Sequence, residues 1–209
     1  MKITVIGAGN MGSAFVKQLT RAGHQVTVTS RDAVKAQQVA AANKGAVARP
    51  AAEAAVGADA VVLATGYGDA VAALESVGNL QGKTVIDITN PLTADYMGLT
   101  IGHNTSAAEE IAKAVPGAEV VKAFNTVFAQ VLSDGPDLAA NKVTVFVASD
   151  SERAKQTTRT LAESIGFQVI DAGGLKNARY LEPVAGLNIY LGYGAGLGTS
   201  IAPAWIRRS

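Results

Sequence analysis

The residues Gly7-Ala8-Gly9-Asn10-Met11-Gly12 place three glycines at GxGxxG spacing, between an apolar run and a helical pattern. Such a loop offers one chemistry: its backbone N–H groups and the positive end of the following helix can hold a pyrophosphate. Gly7 would make the tight turn, Gly9 would let backbone approach the phosphates, and Gly12 would let helix and strand pack closely. The next apolar run ends in Thr29-Ser30-Arg31-Asp32. A site that prefers NAD usually places Asp or Glu about 20 residues past the glycines, on the ribose 2′-hydroxyl. Here Thr and Ser stand at that strand end and Arg31 follows, while Asp32 reads as the N-cap of the next helix. Lys35 then falls in that helix's first turn, where the dipole disfavours a cation. An anion held by Ser30, Arg31 and Lys35 resolves the conflict, and the 2′-phosphate of NADP is such an anion. Two solvated surface cations are the plain alternative.

In an open α/β sheet, ligands lie beyond the carboxyl ends of the strands. The loops there are Thr65-Gly66-Tyr67-Gly68-Asp69, Thr89-Asn90-Pro91, and Asn125-Thr126 after Lys122-Ala123-Phe124. Their side chains could position a nicotinamide ring or a second planar ligand. Tyr67 could stack on a flavin-like ring or simply pack, and Tyr193 reads as a packing residue. His103 reads as a surface or packing residue just before a helix. Asp171, Arg179 and Glu182 could pair with one another and anchor the chain's end. No Ser-His-Asp order, paired-carboxylate constellation or metal spacing stands out, so no catalytic side chain and no metal is expected.

The elements that must position these residues are legible in the apolar pattern. The chain has 209 residues, with 18 Lys+Arg against 17 Asp+Glu, so it lacks the basic field of a nucleic-acid binder. It has no Cys and two His, which excludes disulfides, thiolate metal sites and a Cys nucleophile. Charged residues make up 17% and hydrophobic ones 48%, so much of the chain must be buried. The runs Ile3–Ile6, Val26–Thr29, Ala60–Ala64, Thr84–Ile88, Val120–Phe124, Val143–Ala148 and Gln168–Ile170, with Ala46–Ala48 as a shorter one, predict strands. Most are continuous rather than alternating, so helices should cover both faces. Ser106 with Glu109, and Ser149 with Glu152, predict capped helix starts. The expected architecture is α/β, a doubly wound and mostly parallel Rossmann sheet spanning 1–182, with an apolar Gly-rich segment over 183–209. From Pro183 to Ile206 no residue is charged and Arg207-Arg208 follow. A membrane span there is disfavoured by the glycines and prolines, and packing against the domain or a partner subunit is expected. The opening run leaves no room for a signal peptide, and a cytoplasmic location is expected.

VIGAGNMG at the start, TSRD followed by Lys35, DITNPL from Asp87, VVKAFNTV from Val120 and DAGGLKNARYLEP from Asp171 together resemble one family. It is the NADP oxidoreductases that use the deazaflavin coenzyme F(420), related to the NADPH-binding domain of six-transmembrane metalloreductases. The resemblance covers nearly the whole chain. It implies that Ala8, Gly9, Asn10 and Met11 line the pyrophosphate and that Ser30, Arg31 and Lys35 take the 2′-phosphate. It implies too that Thr65, the Asn90-Pro91 turn and Asn125 to Ala129 lie along the nicotinamide half, with the C-terminal segment closing an acceptor pocket and contributing to a homodimer. Tyr67, Asn125 and Thr126 are the acceptor-pocket candidates.

The reading is therefore an NADPH-dependent oxidoreductase passing hydride to coenzyme F(420), FMN or FAD, with rate gained by positioning. An imine or β-hydroxyacid dehydrogenase is the first rival, but such enzymes add a long helical domain that this chain does not have room for. An NADP-binding sensor without turnover is the second.

Overall fold

In the computed structural model, which describes residues 1–205, the chain alternates strand and helix from its first residues. The order is β1 (Lys2–Ile6), α1 (Asn10–Arg21), β2 (Gln25–Thr29), α2 (Ala33–Ala41), β3 (Ala46–Ala48), α3 (Ala51–Ala54), β4 (Ala60–Leu63), α4 (Ala70–Ser76), β5 (Thr84–Asp87), α5 (Ala107–Ala114) and β6 (Glu119–Lys122). Then come α6 (Ala129–Asp134), the short hairpin β7 (Asp137–Leu138) and β8 (Asn141–Lys142), β9 (Thr144–Val147), α7 (Glu152–Ser164), β10 (Gln168–Asp171) and α8 (Ala178–Ile189). Six strands form one parallel sheet in the order β3-β2-β1-β4-β5-β6. The order reverses between β1 and β4, which opens the crevice that such sheets use for ligands. β9 and β10 pair in parallel, and an antiparallel bridge between Lys122 and Ala148 joins them to the far edge of the sheet.

The continuous apolar runs are explained by two cores, one on each face. On one face Val5, Val62, Ile86 and Val121 pack with Phe15 and Leu19 of α1, Val131 of α6 and Leu161 of α7. On the other, Ile6, Val61, Leu63 and Val85 meet Leu74 of α4, Ile111 of α5 and Ala178 of α8. A strand whose neighbouring residues serve opposite cores has no polar side to show.

Two helix starts behave differently. Ser106 caps α5, its Oγ accepting from the Glu109 N–H at 3.2 Å and donating to the Glu109 carboxylate. The cap of α7 is Ser151 rather than Ser149, its Oγ accepting from the Ala154 N–H. Ser149 is buried and donates instead to the Val120 carbonyl at 2.7 Å.

The C-terminal segment is more helical than its glycines suggest. α8 runs through Pro183 and across the expected junction at 182/183, and a wide π-type turn over Tyr190–Gly194 follows. Pro183 removes one intrahelical donor, and burial of Leu181, Ala185 and Asn188 carries the helix past it. No helix among the described residues is long and apolar enough to cross a membrane. Arg207-Arg208, read above as a tail flanking the apolar stretch, lie outside the described residues.

Candidate functional site

The glycine loop sits where β1 turns into α1. Gly7 has φ of +116°, and a Cβ on it would meet the Ala64 carbonyl oxygen at 2.3 Å. A Cβ on Gly12 would lie 1.9 Å from the Gly7 carbonyl oxygen, so α1 could not approach β1 with any larger residue there. Gly9 differs: nothing lies within 4 Å of where its Cβ would be. Backbone packing therefore demands the first and third glycines, while the middle one borders open space. Gly9 is the N-cap of α1, without a side-chain cap and with no acidic residue in the first turn. The N–H groups there are free to face an anion, and the residues present fit a dinucleotide.

A chamber of about 490 Å³ opens beside this loop. Gly7, Ala8 and Gly9 line it at one side, and Ser30, Arg31 and Lys35 at the other. The turn after β2 is held by its own polar atoms. Ser30 Oγ accepts from the Asp32 N–H at 3.1 Å, and Asp32 caps α2 by accepting from the Lys35 N–H at 3.1 Å. Arg31 is presented outward by this turn, its side chain 87% exposed.

A second chamber of about 650 Å³ continues over β4 and β5 and shares Ala64, Thr65 and Gly66 with the first. Met11, Tyr67, Thr89 and Asn90 line it, so Met11 stands in this chamber and not beside Gly9. Among the described residues no charged side chain lines it. The Thr89 hydroxyl is buried behind its wall and has no hydrogen-bond partner among the described residues. Burial, and then the charges of Glu110, Glu182 and Asp87, push the Tyr67 phenol above its ordinary value, so it is a neutral hydroxyl at pH 7.

The remaining candidates are placed elsewhere. Pro91 is buried, and its carbonyl accepts from the Thr100 N–H at 2.7 Å, which shapes the turn after Asn90. Asn125 Nδ2 donates to Asn90 Oδ1 at 3.0 Å and to the Leu181 carbonyl at 2.9 Å, while its carbonyl accepts from Asn90 Nδ2. The Thr126 carbonyl accepts from Asn188 Nδ2. These two residues knit the end of β6 to α8 and to the Asn90 turn, and they line neither chamber. Phe124, just before them, is buried at φ of +59°, with Phe15 and Phe167 packed edge-on against its ring. That backbone reversal, unusual for a bulky residue, turns the chain out of β6 toward Asn90. Asn10 and Ala129 border a third cavity of about 830 Å³ between α1 and α6, whose cations are Lys17, Arg21 and Lys44. His103 is exposed at φ of +56° and lines no chamber. Tyr193 is exposed, packing edge-on against Phe128.

Beneath the second chamber lies a feature that sequence reasoning missed. Lys122 is wholly buried, its Nζ 2.8 Å from Asp87 Oδ2, 2.8 Å from Glu182 Oε1 and 2.6 Å from the Thr89 carbonyl oxygen. Asp87 also accepts from the Thr89 N–H, and Glu182 from the Ala107 and Ala108 N–H groups that open α5. Asp171, Arg179 and Glu182 therefore do not pair with one another. Asp171 pairs with Lys155, Arg179 makes a two-point pair with Glu109, and Glu182 turns inward to Lys122. The available signal was a lysine inside the apolar run Val120–Phe124, with Asp87 opposite it in the neighbouring strand.

A family model described as NADP oxidoreductase, coenzyme F(420)-dependent, matches residues 2–91. The F(420)-dependent NADP reductase of Methanothermobacter marburgensis is 35% identical over 215 residues, covering 91% of this chain and 92% of its own length. The metalloreductase STEAP3 of Rattus norvegicus is 28% identical over 184 residues, and this chain spans 36% of its length. Among solved structures, a candidate F(420)-dependent NADP reductase from Arthrobacter sp. FB24 superposes with a TM-score of 0.87 at 32% identity, covering 96% of both chains.

Proposed function

The chain belongs to the coenzyme F(420)-dependent NADP oxidoreductase family, and on that premise we propose that this NADP-dependent oxidoreductase exchanges hydride with a deazaflavin, coenzyme F(420). The observation that carries the proposal is the pair of chambers joined through Ala64, Thr65 and Gly66. One end offers free helix N–H groups and cations, and the other a chamber with no charged lining among the described residues. That division suits a nucleotide whose phosphates lie at Gly9 and whose ring lies under Tyr67.

When bound, the nucleotide supplies or accepts the hydride itself. The chain's share is to bind, orient and exclude water. Gly7, Ala8, Gly9 and Gly12 shape the turn whose N–H groups hold the pyrophosphate, with Asn10 and Met11 opening α1 behind it. Ser30, Arg31 and Lys35 hold the 2′-phosphate, two of them by charge-assisted bonds. Thr65 lines both chambers where they meet. The neutral Tyr67 hydroxyl is the group that would bond an uncharged polar part of the ligand. Among the described residues the chamber carries no carboxylate or amine, so the proton that joins the hydride on the reduced deazaflavin is taken from solvent. Asn90, Pro91, Asn125 and Thr126 fix its rim, Ala129 borders the separate cavity between α1 and α6, and the C-terminal segment serves a second subunit.

Stopped-flow oxidation of NADPH with F(420), FMN, FAD and riboflavin tests this. Turnover with F(420) is expected. Turnover with the flavins alone would replace the acceptor, and turnover with none would overturn the reading. F(420) comes ahead of the flavins because the relative matched over 92% of its own length is an F(420)-dependent NADP reductase.

A further inference from the structure

The guanidinium assigned to the 2′-phosphate already has a partner. Arg31 Nη1 and Nη2 donate to Asp69 Oδ1 and Oδ2 at 3.1 and 3.0 Å, a two-point pair between the turn after β2 and the turn before α4. Both residues line the first chamber, so the pair stands across it. A guanidinium fork fits a phosphate as well as a carboxylate, and it cannot offer the same two donors to both. Asp69 closes a 3-10 turn, Tyr67–Asp69, that runs straight into α4; its backbone is itself helical and its carboxylate accepts nothing from α4. Among the described residues the Arg31 fork is its side-chain partner. Both side chains are exposed, 87% and 49%, and the exchange requires no unpacking.

We propose that Asp69 is a built-in competitor for the 2′-phosphate. It occupies the Arg31 fork while the nucleotide is absent and releases it to solvent when the phosphate arrives. The inference rests on reading Arg31 as a 2′-phosphate ligand. Asp69 thereby sets nucleotide preference from the unfavourable side: it lowers affinity for the phosphorylated nucleotide and leaves the other alone. An exposed ion pair contributes little, so the effect is modest, about two- to fivefold in Kd.

Asp69→Asn removes the charge and keeps the size of the side chain. Titration calorimetry should show NADPH bound about two- to fivefold more tightly than by the unmodified protein, with NADH unchanged. In an Arg31→Ala background the same substitution should gain less for NADPH than it does alone. Weaker NADPH binding by Asp69→Asn would mean that Asp69 pre-orients the fork, and an equal shift for NADH would make it a ribose or adenine contact. Either result, or no change, overturns the proposal. Arg31→Ala alone should weaken NADPH about ten- to a hundredfold and spare NADH. Equal losses for both nucleotides would sink the 2′-phosphate reading itself, whereas a selective loss with a silent Asp69→Asn would sink only the exchange.

Discussion

Replacing Lys122 by Met removes the one cation from a buried cluster that holds two carboxylates. Both partners lie 2.8 Å from its Nζ, and all three side chains are 1% exposed or less. The shape is nearly conserved, so the cost is electrostatic. Asp87 keeps only the Thr89 N–H, and Glu182 only the two N–H groups of α5. Breaking a buried pair by removing one partner costs about 3–5 kcal/mol, out of a total stability of about 5–15 kcal/mol. In a domain of this size each kcal/mol moves Tm by about 2–4 °C, so Lys122→Met should melt about 6–20 °C below the unmodified protein. The Thr89 carbonyl also loses its donor, and the floor of the second chamber loosens with it. Urea unfolding at pH 7 gives the free energy and calorimetry the Tm. The double variant Lys122→Met, Glu182→Gln should cost less than the two single changes added together, because it also removes one stranded charge. A Lys122→Met protein melting within about 2 °C of the parent, or strictly additive changes, would refute the reasoning.

Other expectations follow from the loop, one surface pair and the tail. Gly9→Ala has open space to enter, so it should keep the parent Tm while losing nucleotide affinity by titration. Gly12→Ala must push α1 off the Gly7 carbonyl and should lose several degrees of Tm before any ligand is added. The Arg179 guanidinium, above all, holds the Glu109 carboxyl below the ordinary glutamate range. The folded protein thus binds that proton less readily than the unfolded chain. The stability gained is complete above the ordinary range and is lost as pH falls through the depressed value. Arg179→Met should accordingly flatten the acid limb of a Tm-against-pH curve, and an unchanged limb would refute the assignment. A chain ending before Pro183 loses buried Ala185 and Asn188 and the Asn188 bond to Thr126. It should be poorly soluble or inactive; a soluble and fully active truncate would show that the tail serves neither pocket nor subunit contact.

Much of the sheet was legible because a parallel strand buried on both sides can be written almost only in Val, Ile, Leu and Ala. The short run Ala46–Ala48 was readable on the same ground and pairs with β2. Local signals succeeded where one candidate satisfied them, as at Ser106 and Asp32. They failed where two serines competed: Ser149 and Ser151 both precede α7, and only burial of Ser149 on the Val120 carbonyl decides between them. The charge pairs were illegible for a different reason. Lys122 finds Asp87 35 residues back and Arg31 finds Asp69 38 residues ahead, and no local period reports such distances. The three charges near α8 were grouped because they are close in sequence, yet on a helix and its approach they face different neighbours. Asn125 and Thr126 stand at a strand end where a ligand contact was expected, but the reversal at Phe124 commits them to holding α8.

The lining of the two joined chambers has a consequence for how such a protein can change. Among the described residues, every side chain that borders them comes from Ile6 to Thr100. The second half of the chain reaches that surface from behind, through Lys122 and Glu182 under Thr89 and through Asn125 against Asn90. These contacts are seams between a half that walls the chambers and a half free to be re-cut. Substitutions after residue 100 can alter the surfaces around α6 and α8, and with them the company the enzyme keeps, while the chamber walls stay intact so long as those seams hold.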